Sequence, residues 1–335
     1  MRFSESDWAP LEAEQHPYGI VKRRLFPRSD HDIFLAVQQP AGMRMLLLTV
    51  SATAAEELLR QHPVLPRTKG LSLQLAPTSD GSNELQVVLT AKERREVFNP
   101  LITDIAAAAA AQDGPEGAVR AAIERFEHWR RLLQSIGDSG LGAEARRGLF
   151  GELIILRDQV LPVAGAVAAV SAWRGPTGSD QDFQLSTCAV EVKTGAGMNP
   201  RSIAIASERQ LDDTVAGQLL LAHLSVDERQ GGPGKSLNDV VEDLLGDLGT
   251  GQAGSDFSDL LVCAGYLSEH RHLYDEPRYS ILRTDFWHVT GEFPRIVESD
   301  LRPGVGSCSY RISLVGLDKY GVTAERVAGI MKGEA

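Results

Sequence analysis

The sequence predicts an α/β protein, because short strand-like runs and stretches with helical spacing alternate along its 335 residues. Hydrophobic residues make up 43% of the chain and charged residues 24%, a balance typical of a folded globular protein. A chain of this length can bury a large core and normally divides into two or three compact units. We therefore expect a β-rich N-terminal domain, a central core with a helix on a mixed sheet, and a C-terminal α/β region that completes the fold.

The β-rich pattern lies in the N-terminal part of the chain. Residues 1–100 contain apolar runs such as DIFLAVQQ and ELQVVLT, separated by turn-forming segments such as PTSDGSN. Residues 101–140 show apolar side chains at helical spacing, with a break at Gly114-Pro115. We interpret the first stretch as a recognition or docking domain and the second as connecting helices.

The central core is predicted over residues 141–228. A helix over Ala143 to Val160 begins it. The runs that follow it have β-type composition and tight turns between them: AVAAVSAW, DFQLS, AVEVKT, SIAIAS and QLLLAHLSV. One helix packed on a mixed sheet is the simplest architecture for this order. Residues 235–335 form the C-terminal α/β region, which begins with an amphipathic helix over Leu237–Leu248.

The charge distribution bears on nucleic-acid binding. A net charge of −11 argues against a protein that coats nucleic acid by bulk electrostatics, because phosphate binding relies on Lys and Arg. The first 150 residues carry a net −1 and the remainder a net −10, so the basic side chains concentrate in the N-terminal half. Short basic clusters are usually solvated surface, but together they are candidates for a DNA-facing side. The candidates are Lys22, Arg23, Arg24, Arg146 and Arg147, with Arg174 as a further phosphate contact.

The sequence favours a cytoplasmic protein with no membrane segment. Its first residues, MRFSESDWAPLEAEQ, hold acids and a Trp where a secretory signal needs basic residues and an apolar run. A membrane-spanning helix needs about 18 uninterrupted apolar residues, and the sequence has no such stretch. Three widely spaced cysteines, Cys188, Cys263 and Cys308, favour reduced core residues over disulfides or a zinc site.

The segment that carries chemistry runs from Asp180 to Thr194. Alternate side chains of a strand share a face, so Glu191 and Lys193 are expected to point together while the valines between them point into the core. Asp182 obeys the same rule in the preceding strand. A hairpin through Ser186–Cys188 would therefore gather two carboxylates and one ammonium group in a single cleft.

These three residue types suit the hydrolysis of a phosphodiester. A hard cation such as Mg²⁺ neutralises the phosphate and activates water, and carboxylate oxygens are the ligands that it prefers. A lysine beside them would position the attacking water and offset the charge of the transition state. On spacing alone, an ordinary reading stays open, with Asp182 as a turn residue and Glu191 and Lys193 as an exposed pair.

The wider sequence resembles one family. Asp182 with Glu191-Val192-Lys193 is similar to the signature of the PD-(D/E)XK nuclease superfamily. More closely, several segments resemble the bacterial family called PD-(D/E)XK motif proteins, found among restriction and phage-defence genes. The segments cover most of the chain after about residue 140: GLFGELIILR, WRGP, SDQDFQL, VEVKT, SERQL, GKSLNDVVEDLL, AGYL, FPRI and CSYRISL. The resemblance implies a restriction-endonuclease-like core.

The resemblance also implies roles for particular residues. Asp182, Glu191 and Lys193 would be the catalytic residues, with Glu152 on the preceding helix as an additional acid. The metal ligands would be Asp182, Glu191 and the backbone carbonyl of Val192, holding Mg²⁺, for which Mn²⁺ would substitute.

Two positions depart from the superfamily pattern. Gln181 stands where the signature has Pro, and Asp180 lies two positions before Asp182, so it is the alternative ligand. The Gln-x-x-x-Tyr element is missing, since Thr214 stands four places after Gln210. Ser207 and Gln210 are expected to line the cleft.

The function implied is a metal-dependent DNA endonuclease or nickase subunit of a bacterial restriction or anti-phage system. Its partners would be DNA, an ATPase and a methyltransferase, as implied by the resemblance. Cutting both strands favours a homodimer or repeated nicking. A non-catalytic subunit that keeps the nuclease fold for assembly or DNA docking is the alternative, and RNA, branched or modified DNA stay open as substrates.

Overall fold

The computed structural model describes residues 3–14, 16–68, 70–79, 81–197, 202–214 and 217–334. The chain divides into two compact units, Met1–Gly137 and Asp138–Ala335. Both contain helices and sheets, so the predicted α/β class is confirmed. No helix within the described ranges is long and apolar enough to cross a membrane.

The first unit is built around a six-stranded antiparallel sheet in the order β1-β2-β3-β6-β5-β4. Its elements, in chain order, are α1 (Glu5–Ala13), β1 (Gly19–Leu25), β2 (Ile33–Gln39), β3 (Met43–Val50), α2 (Ala52–Gln61), β4 (Arg67–Thr68), β5 (Leu71–Pro77), β6 (Asn83–Leu89), α3 (Arg95–Ala110) and α4 (Pro115–Ile136). The sequence assigned residues 101–140 to connecting helices. In the structure, α3 and α4 belong to the same unit as the sheet.

The long helix α4 shows how local sequence sets an element of this unit. Gly114 precedes it with a φ of 79°, and Pro115 occupies its first turn, where a missing N–H costs nothing. Its buried stripe includes Phe126 and Trp129, and the Trp129 indole donates a hydrogen bond to Asp104. The helix ends before Gly137, whose φ of 54° is a conformation that favours glycine.

The second unit contains the segment that carries the chemistry. Its elements are α5 (Ala143–Ile155), a π-helical turn (Leu156–Val160), α6 (Leu161–Ala164), α7 (Ala166–Ala172), β7 (Phe183–Gln184), β8 (Ala189–Ala196), β9 (Ser202–Ile205), β10 (Leu219–Arg229), α8 (Leu237–Leu248), α9 (Gln252–Cys263), β11 (Arg278–His288), β12 (Tyr310–Ser313) and α10 (Ala324–Lys332). The strand prediction for AVAAVSAW is wrong, because this run forms α7. Its alanines have the highest helix propensity, and its buried positions recur at helical spacing.

A four-stranded mixed sheet forms the centre of this unit, in the order β11-β10-β8-β7. β8 and β10 run parallel, while β7 and β11 are antiparallel to their neighbours. β9 pairs with β12 in a separate two-stranded sheet. One apolar cluster joins the two sheets, and it includes Leu219, Leu221, Trp287, Ile205 and Ile312.

Helix α5 packs closely on β8 at a glycine. A Cβ atom added at Gly151 would lie 1.8 Å from the Thr194 hydroxyl oxygen, a distance that atoms of real side chains cannot adopt. Gly151 therefore sets how near the helix lies to the strand. Because Glu152 follows it directly, the same glycine sets where the Glu152 carboxylate lies.

We expect Gly151→Ala to lower the free energy of unfolding by about 1–3 kcal/mol, the usual cost of overpacking a core. Gly148→Ala in the same helix is the matched control, since a Cβ there meets open space among the described residues. An alanine at position 148 should leave stability unchanged or raise it by up to about 1 kcal/mol, because Ala favours the helix. Urea unfolding of both variants measures the difference. Equal stabilities would show that α5 does not depend on the Gly151 contact.

Candidate active site

The hairpin through Ser186–Cys188 is present, as the sequence predicted. β7 pairs with the start of β8, with Phe183 opposite Val190, and the Leu185 N–H donates to the Cys188 carbonyl at 2.9 Å. Asp182 stands directly before β7. Its Oδ2 accepts a hydrogen bond of 2.7 Å from the Val192 backbone N–H. The carboxylate thereby continues the pairing with β8 beyond the point where β7 begins.

Glu191 and Lys193 share one face of β8. The Lys193 ammonium nitrogen lies 2.6 Å from Glu191 Oε1. Glu191 is only 1% exposed, so the pair is not the exposed surface pair that the spacing alone left open. Val190 and Val192 point to the opposite face and are buried, as expected from strand alternation.

The Glu191 carboxylate is incompletely satisfied. Among the described residues, neither of its oxygens has a hydrogen bond of good geometry, and Oε1 has only the Lys193 ammonium beside it. A buried carboxylate normally needs ion pairs and hydrogen bonds to offset the loss of water. A buried carboxyl oxygen without a partner therefore indicates a position for a cation.

A third carboxylate reaches the same place from α5. Glu152 Oε2 accepts a hydrogen bond of 2.8 Å from the indole N–H of Trp173, which is fully buried. A Cβ atom added at Gly175 would lie 2.8 Å from Asp182 Oδ1 and 3.1 Å from Glu152 Oε2. The two carboxylates therefore converge on the space beside Gly175 that a Cβ atom would occupy.

The backbone of the WRGP segment holds Asp182 in place. The N–H groups of Arg174 and Gly175 both donate to the Asp182 carbonyl, at 2.7 and 3.0 Å. The Trp173 side chain thus binds Glu152, and the backbone that follows it binds Asp182. Trp173 is a core residue with a polar contact, which agrees with the usual behaviour of buried tryptophan.

The electrostatics of the three acids follow from their burial. Burial and the nearby Asp182 charge raise the pKa of Glu152 well above its usual value, against the Trp173 hydrogen bond, which lowers it. Burial raises the pKa of Asp182 to about 6, although the Val192 N–H and Lys193 favour its charged form. Burial and the Asp182 charge also raise the pKa of Glu191 well above its usual value. Burial thus disfavours the charged forms of these carboxyl groups, and a bound cation would favour them.

Gln210 contacts the Lys193 ammonium group in addition to Glu191. Its side-chain carbonyl accepts from the Lys193 ammonium at 3.1 Å and from the Ala206 N–H at 2.7 Å. Ser207 lies in the same turn, and its carbonyl accepts from the Gln210 N–H at 3.3 Å. Gln181, which stands where the signature has Pro, is buried and donates to the Arg209 carbonyl at 2.8 Å. Gln181, in place of Pro, thus ties the segment just before Asp182 to the turn that carries Gln210.

Residues of the C-terminal region also contact the turn that carries Gln210. Glu208 is buried and accepts from the backbone N–H groups of Cys308 at 2.7 Å and Ser307 at 3.3 Å. Arg295 donates to the Leu211 carbonyl at 2.8 Å. Sequence reasoning did not single out Glu208, because its partners are backbone groups about 100 residues away. In the sequence, Glu208 is marked only by its place in SERQL, one of the segments that resemble the family.

The remaining candidates of the second unit have side chains that are exposed or that bind other residues. Asp180 is exposed, and it is Asp182 that contacts β8. The Arg174 side chain is exposed. Arg146 donates to the Tyr279 hydroxyl at 3.3 Å, and Arg147 donates to Glu228 at 3.2 Å.

The basic candidates of the first unit lie on β1, and each has an acidic partner. Lys22 pairs with Glu84 at 2.9 Å. Arg23 pairs with Asp7 at 2.9 Å, and Arg24 pairs with Asp32 at 2.8 Å. Their contact with DNA stays a prediction.

The donor set can be compared with the needs of a divalent cation. Within the described ranges, no group of three or more His, Cys, Asp or Glu side chains is arranged to hold a metal ion. Mg²⁺ does not need such a cage, since it usually binds through one or two carboxylates and keeps several waters. The N–H and carbonyl of a strand residue point to the same side, so the Val192 carbonyl faces the Asp182 side of β8. With the unpartnered Glu191 oxygen, these oxygen donors fit a divalent cation that keeps several waters.

A helix on a mixed sheet, with an acid before β7 and Glu-x-Lys on β8, defines a protein of the PD-(D/E)XK nuclease-like class. Proteins of this class typically use divalent metals. The chain belongs to the family DUF4420, described as "Putative PD-(D/E)XK family member", whose model matches residues 4–315. No curated protein and no solved structure matches the chain.

We expect the partly buried charge of Asp182 to show in the pH dependence of folding. Its pKa is raised from 3.8 to about 6, so the folded state binds this proton more tightly than the unfolded state. The resulting stabilisation is present below 3.8 and is lost as the pH rises to about 6. Asp182→Asn keeps an acceptor for the Val192 N–H but no titrating charge. Its free energy of unfolding should therefore rise relative to wild type across this window.

Urea unfolding without divalent cations, at pH values below, within and above the window, measures this difference. Asp180→Asn is the control, because it removes one charge from an exposed position in the same segment. A constant difference between Asp182→Asn and wild type at all pH values would contradict a desolvated Asp182 carboxylate.

Proposed function

We propose that this protein is a metal-dependent phosphodiesterase that cuts or nicks DNA. The observation that carries the proposal is the convergence of Asp182 and Glu152 at Gly175, beside a buried Glu191 with an unpartnered oxygen. Bringing three carboxylates together without a cation is unfavourable, as their raised pKa values indicate. Such an arrangement is typical of a functional site.

Each residue has a separate role in the proposed reaction. Asp182, Glu191 and the Val192 carbonyl would hold Mg²⁺, for which Mn²⁺ would substitute. When bound, the cation neutralises the phosphate and lowers the pKa of water. Lys193, fixed between Glu191 and Gln210, orients the attacking water and offsets negative charge on the transition state. Glu152 donates or accepts protons at the edge of the site, which suits its raised pKa.

We extend the proposal to the setting of the enzyme. The motif resemblance described above supports a subunit of a restriction or anti-phage system, acting with an ATPase and a methyltransferase. The β-rich N-terminal part would then recognise DNA or dock these partners. Two copies would be needed to cut both strands in one event.

The proposal predicts cation-dependent cleavage of supercoiled plasmid. We expect Asp182→Ala, Glu191→Ala and Lys193→Ala each to lower the rate at least about a hundredfold, because each removes charge stabilisation in a desolvated site. Asp180→Ala is the matched control. It removes an exposed carboxylate from the same segment and should keep wild-type activity.

The outcomes separate the alternatives. Loss of cleavage in Asp180→Ala but not in Asp182→Ala would identify Asp180, instead of Asp182, as the metal ligand. Wild-type protein that stays inactive with Mg²⁺ and with Mn²⁺, alone and with its partners, would favour a non-catalytic subunit that keeps the nuclease fold for assembly or docking.

Gly175→Ala provides an independent test of the convergence of the carboxylates. The added methyl group would enter the space between Asp182 and Glu152. We expect Mn²⁺ binding, measured by isothermal titration calorimetry, to weaken at least about tenfold, as for other changes that displace metal ligands. Unaltered Mn²⁺ affinity in a folded Gly175→Ala protein would contradict a metal position at Asp182.

A further inference from the structure

A buried histidine lies beside Lys193 on the neighbouring strand. In the parallel pairing of β8 with β10, His223 is the register partner of Lys193. Register partners point to the same face of a sheet, and neighbouring strands are about 4.8 Å apart. His223 is therefore on the face that carries Glu191 and Lys193, one strand further into the sheet.

The His223 ring is enclosed but not satisfied. It is 2% exposed, and its ring lies 6.3 Å from that of Trp287. Among the described residues, its Nδ1 has no hydrogen-bond partner. Burial lowers the pKa of His223 to about 4, with Asp285 opposing this effect and Arg283 adding to it. The imidazole is therefore neutral at pH 7 and can offer one nitrogen as an acceptor.

Packing alone does not explain a histidine at this position. Its same-face neighbours on β10 are Leu221 and Ser225, its register partner on β11 is Asp285, and an unpartnered buried polar atom is destabilising. An apolar side chain of similar size would fill the same space without that cost. An acceptor at this point is expected to have a partner in the working protein.

Lys193 can supply that partner. Its ammonium group has three donors; in the structure it donates to Gln210 Oε1 and forms an ion pair with Glu191 Oε1. A cation held by Glu191 would compete with the ammonium for the same carboxylate. Once Glu191 is engaged, Lys193 keeps Gln210 as one acceptor and has a donor free for a further acceptor on this face.

We propose that His223 is the positioning residue that takes over Lys193: its neutral Nδ1 accepts a hydrogen bond from the ammonium group when Glu191 holds a cation. This inference rests on the proposed function. It assigns His223 to the release of Glu191 for metal binding and to the orientation of Lys193, without contact to substrate.

The test is Mn²⁺ binding by isothermal titration calorimetry, with urea unfolding of the same metal-free proteins. His223→Leu removes the acceptor, whereas His223→Asn keeps an oxygen acceptor near the Nδ1 position. We expect His223→Leu to unfold at the same or a higher urea concentration but to bind Mn²⁺ about tenfold more weakly, as changes behind a metal ligand do. His223→Asn should retain the wild-type affinity.

Ser225→Ala is the matched control on β10. Ser225 is fully buried on the same face, and its hydroxyl also has no partner among the described residues. Its register partner is Gly195 rather than Lys193, so this variant should bind Mn²⁺ as wild type does.

Each outcome decides the inference. Equal Mn²⁺ affinity in wild type and His223→Leu would overturn it while leaving the proposed function in place. Marked destabilisation of His223→Leu would overturn it in favour of a structural role. Weaker binding in His223→Asn as well would show that the acceptor is not what matters. Absence of Mn²⁺ binding by wild type would overturn the proposed function, and the role of His223 with it.

Discussion

The hydrogen bond from the Val192 N–H to Asp182 is the contact on which the candidate site depends. β7 has only two residues, so its ladder ends before it reaches the part of β8 that carries Glu191 and Lys193. The Asp182 side chain replaces the missing backbone partner and is thereby brought beside these two residues. The hairpin of β7 and β8 thus places Asp182, Glu191 and Lys193 close together in one fixed arrangement. The cost is a carboxylate with little solvent, which explains the direction of its pKa shift.

Two glycines allow the other elements to approach this hairpin. Gly151 lets α5 lie against Thr194, which brings Glu152 to the sheet, and Gly175 leaves room where Glu152 and Asp182 converge. Trp173 then holds Glu152 through its indole while filling the core. Charge and packing are coupled here, because the groups that fix the carboxylates are themselves buried. Small displacements of α5 would therefore change the electrostatics of the site as well as its stability.

The C-terminal part of the chain has a structural reason to accompany the core. Two contacts hold the turn that carries Gln210. Glu208 in this turn accepts from the Cys308 N–H, just before β12, and Arg295 donates to the Leu211 carbonyl at the end of the turn. Gln210 in turn binds Lys193. Residues far apart in sequence therefore contribute to the position of one ammonium group. This is consistent with a family match that extends to residue 315.

Strand alternation and residue chemistry were sufficient to predict the hairpin, the shared face of Glu191 and Lys193, and the α/β class. These follow from local periodicity, which a sequence displays directly. Local patterns were insufficient for α7, where an apolar Ala-rich run is compatible with a strand or a helix until its neighbours are known. The roles of Glu208, Gly175 and His223 were also hidden, because each depends on a contact across strands or distant segments. Residue types and their spacing along the chain thus identified the groups that could perform the chemistry. Which of them come together, and which of them is buried, depends on the fold, because burial and partner geometry arise from the packing of the whole unit.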